Sequence, residues 1–128
     1  MLISILIAGD LIPYERTVPL FEAHKTDCLF GDILSLIKES DFSVVNLEAP
    51  IVLDKPTPIR KSGPNLYASL AAMEVVKDAG FDMLTLANNH FRDQGQLGVS
   101  NTLNCADSIG LHYVGGAKNL EETRKIRY

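Results

Sequence analysis

The sequence predicts an α/β fold in which alternating β-α units form a mainly parallel sheet with helices on both faces. Two observations predict it. Short apolar runs rich in β-branched residues alternate with longer segments whose apolar residues recur at helical spacing, and glycine follows the ends of several of these segments. Strands that alternate with helices through right-handed crossovers specify a parallel sheet. We therefore expect the order β-α-β-α-β-α-β-α in a single domain over residues 1–128.

The first half of the chain is predicted to supply two strands and one helix. Residues 2–8 form a continuous apolar run, typical of a strand buried on both faces, and Gly9 ends it. A helix is expected after Asp32, a good N-cap residue, because apolar residues recur at helical spacing through residues 33–37. Residues 42–47 are predicted to form the second strand.

The second half is predicted to continue the alternation after a long loop. Residues 49–65 contain four prolines and one glycine, which disfavour a helix, and loops of this length are usually functional. Helices are expected over residues 67–79 and 96–109, each ended by the glycine that follows, with strands at 82–86 and 111–114. A last helix is expected to begin over residues 119–124 and to end within residues 125–128.

Composition narrows the class of protein. The chain has 46% apolar and 22% charged residues and a formal charge of −4, which favours a globular protein and disfavours nucleic-acid binding. No basic residue precedes the apolar run near Met1, so no signal peptide is expected, and the run is too short for a membrane span.

Cys28 and Cys105 are expected to be buried thiols, and His112 is expected to be packed inside the sheet.

Polar side chains follow the first three predicted strands, and Gly115-Gly116 follow the fourth. Asp10 follows the first strand, Asn46 and Glu48 end the second, and Asn88, Asn89 and His90 follow the third. Because the carboxyl ends of parallel strands meet along one edge, we expect these side chains to converge. Asp93 is placed to accept the second N–H of the His90 imidazole and fix its tautomer.

This set of donors predicts a metal site. Two carboxylates, an amide oxygen and an imidazole suit Mn²⁺, Mg²⁺, Zn²⁺ or Fe²⁺. Metal-assisted hydrolysis is the reaction class that such a site favours. Lys61 and Asn65, in the long loop, are expected to reach over the site and contact substrate, and Asn46 and Asn88 are candidates for the same role.

Six sequence elements run in order through the chain: Gly9-Asp10, Val45-Asn46-Leu47-Glu48-Ala49-Pro50, Lys61-x-Gly63-Pro64-Asn65, Leu86-Ala87-Asn88-Asn89-His90-x-x-Asp93-x-Gly95, Gly110-Leu111-x-x-Val114-Gly115-Gly116 and Asn119-Leu120-Glu121-Glu122. Together they resemble the bacterial CapA proteins of capsule and poly-γ-glutamate biosynthesis. The resemblance implies the N-terminal part of a domain related to the calcineurin-like metallophosphatases, with a two-metal site at the carboxyl edge of the sheet. Residues 1–128 are therefore expected to be a partial domain.

The resemblance also implies roles for individual residues. Asn89 would bind metal and His90 would be catalytic, Asp10 would ligate one metal, and Glu48 would act as the bridging carboxylate. The phosphatases usually carry a histidine two positions after their first aspartate, where this chain has Ile12. Two alternatives follow: one metal lacks a nitrogen ligand, or that metal is absent and the site holds a single metal.

The function implied for the full-length protein is a metal-dependent hydrolase or transferase acting on a polymer or a phosphoester-type substrate, and residues 1–128 alone are expected to be inactive. A non-catalytic assembly or polyanion-binding component of capsule synthesis is the alternative. Nucleotide binding at Gly115-Gly116 is disfavoured because the first strand lacks a glycine-rich phosphate loop. An incomplete sheet with a free edge is expected to be marginally stable or to self-associate, and to bind metal weakly. Related proteins often work at the cell envelope, whereas no signal peptide is expected here. The sequence therefore predicts neither a cytoplasmic nor an envelope location.

Overall fold

The structure is a computed structural model, and it describes residues 1–124. Within them, the strands are β1 (Ile5–Leu11), β2 (Phe42–Leu47), β3 (Met83–Thr85) and β4 (His112–Val114). The helices are α1 (Val18–Glu22), α2 (Thr26–Phe30), α3 (Ile33–Glu39), α4 (Leu70–Ala79), α5 (Gly95–Ile109) and α6 (Leu120–Thr123), and a 3-10 turn (Glu15–Thr17) precedes α1. The expected end of the last helix, within residues 125–128, lies outside the described residues.

The four strands lie side by side in the order β1-β2-β3-β4, and every neighbouring pair is parallel. This confirms the α/β class and the parallel sheet. Strand order follows chain order without a reversal, so right-handed crossovers place all connecting helices on one face of the sheet. The expectation of helices on both faces is therefore wrong in this part of the chain, because a second helical layer needs a reversal of strand order that local periodicity does not encode.

Burial along the strands agrees with a single helical layer. In β2, β3 and β4 one set of alternate residues is buried, including Val45, Leu84 and Tyr113, and the alternate set is more accessible. On β1, Ile5 is 63% and Ile7 80% exposed. The expectation that this strand is buried on both faces is thus wrong, because β1 pairs with a strand on one side only among the described residues and the face bearing Ile5 and Ile7 carries no helix.

The core lies between the sheet and α4 and α5. Met73, Val76 and Leu103 are almost fully buried on the inner sides of these helices, where they join the apolar face of the strands. Both helices end as the sequence predicts, at Gly80 and Gly110, which take left-handed backbone conformations with φ of 100° and 66°. Since few side chains adopt this conformation without strain, the two glycines fix the helix ends.

Several local features differ from expectation. The sequence patterns did not indicate α1 and α2, which are five residues each and too short for a periodic signal. Asp32 occupies the N-cap position of α3, but its side chain makes no capping hydrogen bond. Cys28 on α2 is exposed, while Cys105 on α5 is buried as expected. His112 is exposed, because it opens β4 on the face that carries no helix.

The long loop predicted over residues 49–65 is present, and a β-bridge and hydrogen bonds attach it to the rest of the domain. Ile51 is fully buried and forms an isolated parallel bridge with Ala68. Further along, the loop amide of Thr57 donates to the Gln94 side chain at 2.7 Å, and the amide of Ile59 donates to the carbonyl of Asp93 at 2.9 Å. The loop is therefore fixed against the turn that follows β3.

No helix among residues 1–124 is both long and apolar enough to cross a membrane.

Candidate functional site

A β-bulge brings Asp10 to the accessible face of the sheet. Ile7 pairs with Val44 and Asp10 pairs with Asn46, so β1 carries one more residue than β2 between these pairs, with Gly9 inside the irregularity. Without the extra residue, Asp10 would point into the core, because side chains alternate between faces. The bulge thus places Asp10 beside Asn46, and bulges often re-aim a side chain at a functional site in this way.

A chain of side-chain hydrogen bonds crosses the ends of β1, β2 and β3. The Asn46 amide donates to Asp10 Oδ1 at 2.7 Å, and Asn46 Oδ1 accepts from the Thr85 hydroxyl at 3.0 Å. Asn88 Nδ2 donates to the same oxygen at 3.3 Å and to the carbonyl of Leu47 at 2.9 Å. Asn46 therefore orients the Asp10 carboxylate, and three of its four hydrogen-bonding positions are used inside the protein.

Asn88 also fixes the turn that carries the histidine. Its Oδ1 accepts from the backbone amide of His90 at 3.0 Å, while its Nδ2 is held on β2. The sequence suggested Asn46 and Asn88 as substrate contacts. The structure places both amides in the framework that joins the strand ends to the His90 turn, and substrate contact by either residue stays a prediction.

His90, Asp93 and Lys61 form a compact cluster beside this framework. His90 Nδ1 lies 2.6 Å from Asp93 Oδ2, and the Lys61 ammonium donates to Asp93 Oδ1. The side chain of Asp93 is 1% exposed, that of His90 14% and that of Lys61 21%. The expected contact between His90 and Asp93 is present. Lys61, expected to reach over the site toward substrate, pairs with this buried carboxylate, and its contact with substrate stays a prediction.

The geometry of this cluster determines the histidine tautomer. A carboxylate oxygen 2.6 Å from Nδ1 requires that Nδ1 carry the proton, so Nε2 is the nitrogen left for other chemistry. Lys61 Nζ lies 3.4 Å from the same Nδ1, but both groups are then donors, and they meet only by sharing Asp93. A carboxylate in this position orients the imidazole and fixes its tautomer, as it does in sites where a histidine transfers protons.

Asp93 is held in its ionised form. Burial raises the pKa of Asp93, but the hydrogen bonds from Lys61, His90 and the Leu66 backbone amide outweigh burial, and the pKa of this carboxyl lies below its ordinary value. The Leu66 amide donates to Asp93 Oδ2 at 2.6 Å, so the end of the long loop contributes directly to the cluster.

Asn65 and Gln94 hold the loop against the cluster. Asn65 Nδ2 donates to the carbonyl of Ile59 at 3.2 Å, and its buried Oδ1 has no hydrogen-bond partner among residues 1–124. Gln94 is almost fully buried, and its Nε2 donates to the Leu66 carbonyl at 3.0 Å. Asn65 is thus a loop-bracing residue here, and substrate contact by Asn65 stays a prediction.

The candidate metal ligands Asp10, Glu48 and Asn89 follow three adjacent strands at the same edge. Asp10 and Asn89 are exposed and Glu48 is partly exposed, and the side chains of Glu48 and Asn89 make no hydrogen bond to any described residue. Over residues 1–124, no three His, Cys, Asp or Glu side chains are grouped closely enough to hold a metal ion. The available carboxylate and amide oxygens fit a hard divalent cation in chemical type, provided that amide oxygens or further ligands complete the set.

Sequence reasoning missed Thr85, Gln94 and the Leu66 amide. Thr85 is in register with Asn46, so a correct alignment of β2 with β3 would have indicated that the two side chains share a face. Gln94 and Leu66 gave no comparable signal, since their roles depend on contacts with residues 27 to 37 positions away.

Comparison with known proteins agrees with this arrangement of motifs. The family described as "Bacterial capsule synthesis protein PGA_cap" matches residues 4–128. The chain is 29% identical to the "Capsule biosynthesis protein CapA" of Bacillus anthracis over 98% of its own length and 31% of that protein. It is 26% identical to the "PGA biosynthesis protein CapA" of Bacillus subtilis (strain 168), over 96% of this chain and 32% of that protein.

The chain therefore spans about a third of the length of these relatives. Because the family match extends over all but the first three of 128 residues, this chain belongs to the bacterial capsule synthesis protein family PGA_cap.

Proposed function

We propose that this chain acts in capsule or poly-γ-glutamate biosynthesis as a metal-dependent hydrolase or transferase, with His90 as its proton-transfer residue. The observation that carries the proposal is the His90–Asp93 pair, in which a nearly buried carboxylate binds Nδ1 and leaves Nε2 free. The names of the two relatives, which refer to capsule and PGA biosynthesis, support the biological process. The substrate class is a polymer or a phosphoester.

Asp10, Glu48 and Asn89 are the residues that would hold a divalent cation, of which Mn²⁺, Zn²⁺, Mg²⁺ and Fe²⁺ are the candidates. When bound, such a cation supplies Lewis-acid activation of substrate and water. Asn46 keeps Asp10 in place through its 2.7 Å hydrogen bond and is itself held by Thr85. The hydrogen-bonded framework thus orients a ligand before any metal binds, which is how supporting residues raise metal affinity.

His90 Nε2 would transfer a proton to or from the reacting oxygen. Asp93 accepts from Nδ1 and so orients the imidazole, while Lys61 neutralises part of the carboxylate charge and holds it in one orientation. A positioned acid or base of this kind contributes about 10²- to 10⁴-fold to a rate. The loop bearing Lys61 is therefore part of the catalytic machinery in this proposal.

The test is turnover of a generic phosphoester, p-nitrophenyl phosphate, by a full-length protein that contains this chain, with and without added Mn²⁺. We expect metal-dependent turnover that falls about 100-fold or more in His90→Ala. His112→Ala is the matched control, because His112 is exposed at the opposite, amino end of β4. Metal-dependent turnover that His90→Ala leaves unchanged would refute the role of His90.

A non-catalytic polyanion-binding component is the second candidate. The observation that favours it is the exposed cation Arg92 in the turn that carries His90, in a chain of net negative charge. In that case the chain would bind a glutamate polymer in the presence of Mn²⁺ but would turn over neither the polymer nor p-nitrophenyl phosphate.

A further inference from the structure

A small pocket lies beside the His90 turn and is distinct from the His90–Asp93–Lys61 cluster. Its volume is about 130 Å³, and its walls include Phe91, Arg92, Gln96, Val99, Lys118 and Thr123. Arg92 comes two residues after His90 in the same turn, and Lys118 follows the glycine pair at the end of β4. The pocket is therefore at the same carboxyl edge of the sheet as the proposed catalytic site.

The pocket is electropositive. Its ionisable lining residues are Arg92 and Lys118, and it has no acidic lining residue among those described. Arg92 is exposed, and its side chain makes no hydrogen bond or ion pair with any residue in the range 1–124, although its backbone carbonyl accepts from the Gly95 amide. Lys118 Nζ is 3.5 Å from the neutral amide oxygen of Asn104, which leaves its charge uncompensated.

A carboxylate near the rim does not cancel these charges. Glu122 Oε2 accepts from the backbone amide of Lys118 at 3.3 Å, so it is oriented toward the start of α6, with no ion pair to the Lys118 ammonium. Gln96 and Thr123 add neutral polar groups to the lining. Two unneutralised cations with neutral hydrogen-bonding neighbours are a combination that recognises an oxyanion.

The shape of the pocket limits what it can accept. Gly115 lines it with φ of 77°, and a Cβ at this position would lie 2.7 Å from Ala87 Cβ. A Cβ on Gly116 would lie 2.8 Å from Leu86 Cδ1. The turn after β4 is thus packed tightly on the residues that follow β3, and the small pocket next to it suits a single side-chain-sized acidic group better than a nucleotide.

We propose that this pocket, defined by Arg92, Gln96, Lys118 and Thr123, is a subsite for a carboxylate of a polycarboxylate substrate, next to the substrate group held at His90. The proposal rests on the proposed function and assigns its substrate class. Arg92 and His90 belong to one turn. A substrate carboxylate bound in the pocket would therefore position the neighbouring part of the substrate at His90 Nε2. Preference for a substrate that carries a carboxylate beside its reacting group then follows from the site itself.

The test is binding of a fluorescently labelled γ-linked glutamate oligomer to the full chain, followed by anisotropy at low and near-physiological salt. We expect the Arg92→Gln/Lys118→Gln double variant to bind about tenfold more weakly than the parent and with a smaller salt dependence. Lys25→Gln/Lys38→Gln is the matched control, since it removes the same charge from exposed positions outside the pocket, and its affinity should stay within about twofold. Circular dichroism of both variants checks that they fold alike.

Two further ligands define the chemistry of the pocket. The same oligomer with its side carboxylates methylated should bind no more tightly to the parent than to the double variant. Inorganic phosphate should displace the labelled oligomer only at high concentration, and efficient displacement by phosphate would overturn the assignment to a carboxylate.

Equal affinity of parent and double variant for the oligomer would overturn the subsite. The proposed function fails by a different result, namely turnover that His90→Ala does not reduce. An affinity loss confined to Arg92 and Lys118 alongside such a result would leave the pocket as a carboxylate site and remove only the catalytic proposal.

Discussion

Replacement of Asp93 by asparagine tests the buried cluster most sharply. Three donors converge on the two oxygens of Asp93: the Lys61 ammonium, His90 Nδ1 and the Leu66 amide. Asparagine has one acceptor oxygen and an NH₂ group, so it can keep His90 and Leu66 on its oxygen only by directing its NH₂ toward the Lys61 ammonium. Two donors then face each other, and Lys61 must move toward solvent.

The structure sets the size of this effect. Breaking a fully buried ion pair costs about 3–5 kcal/mol, but the Lys61 side chain is 21% exposed and can regain water. We therefore expect Asp93→Asn to lower the free energy of unfolding by about 2–3 kcal/mol at neutral pH, the strength of one hydrogen bond to a charged group. Urea denaturation measures this value, and Asp107→Asn, an exposed position on α5, is the control.

The same effect should depend on pH in a defined direction. Because the pKa of Asp93 is lower in the folded protein than in the unfolded chain, its contribution is fully present above the unfolded value, near 3.9. The contribution is lost as pH falls through the lowered folded-state pKa. The difference between parent and Asp93→Asn should therefore shrink in strong acid. A difference below about 0.5 kcal/mol at neutral pH would refute the argument.

Four other outcomes follow from the structure. Asn46→Ala should weaken Mn²⁺ binding about tenfold or more in calorimetry, because it frees the Asp10 carboxylate, and an unchanged affinity would contradict this. Gly116→Ala should lower stability in urea by about 1–3 kcal/mol because its Cβ would lie 2.8 Å from Leu86 Cδ1, whereas Gly9→Ala, which meets nothing within 4 Å, is the control. Cys28 should react at once with a thiol reagent and Cys105 only on unfolding, because Cys105 is buried and burial raises the pKa of its thiol. Equal reaction rates of the two thiols in the folded protein would contradict the structure. The exposed Ile5 and Ile7 should promote self-association of the chain, which Ile7→Lys should reduce in sedimentation velocity; a monodisperse parent would exclude it.

Much of the fold could be predicted because its signals are local. The two αL glycines, Gly80 and Gly110, mark helix ends through a backbone conformation that only a few residue types favour. The placement of all helices on one face of the sheet could not be predicted from local sequence signals, because it depends on the order of the strands in the sheet. The exposure of Ile5 and Ile7 could not be predicted for the same reason, because it also depends on which face of the sheet the helices cover. An apolar side chain does not reveal that face.

The candidate site was predictable to the extent that it follows from strand ends. Asp10, Asn46 and His90 converge because parallel strands share a carboxyl edge, and the contact of His90 with Asp93 follows from their spacing within one turn. The ion pair of Lys61 with Asp93 joins residues 32 positions apart, so only the path of the loop reveals it. The structure thus adds an ion pair with Asp93 to Lys61, and substrate contact by Lys61 stays a prediction.

Metal binding tests the central claim most directly. The full chain is titrated with Mn²⁺ in a calorimeter, alongside Asp10→Asn, Glu48→Gln and the exposed control Asp107→Asn. We predict saturable binding by the parent and by Asp107→Asn, with binding lost or strongly weakened in the other two variants. Absence of binding to the parent, or binding that neither Asp10→Asn nor Glu48→Gln weakens, would contradict a metal-dependent site at the carboxyl edge of this sheet.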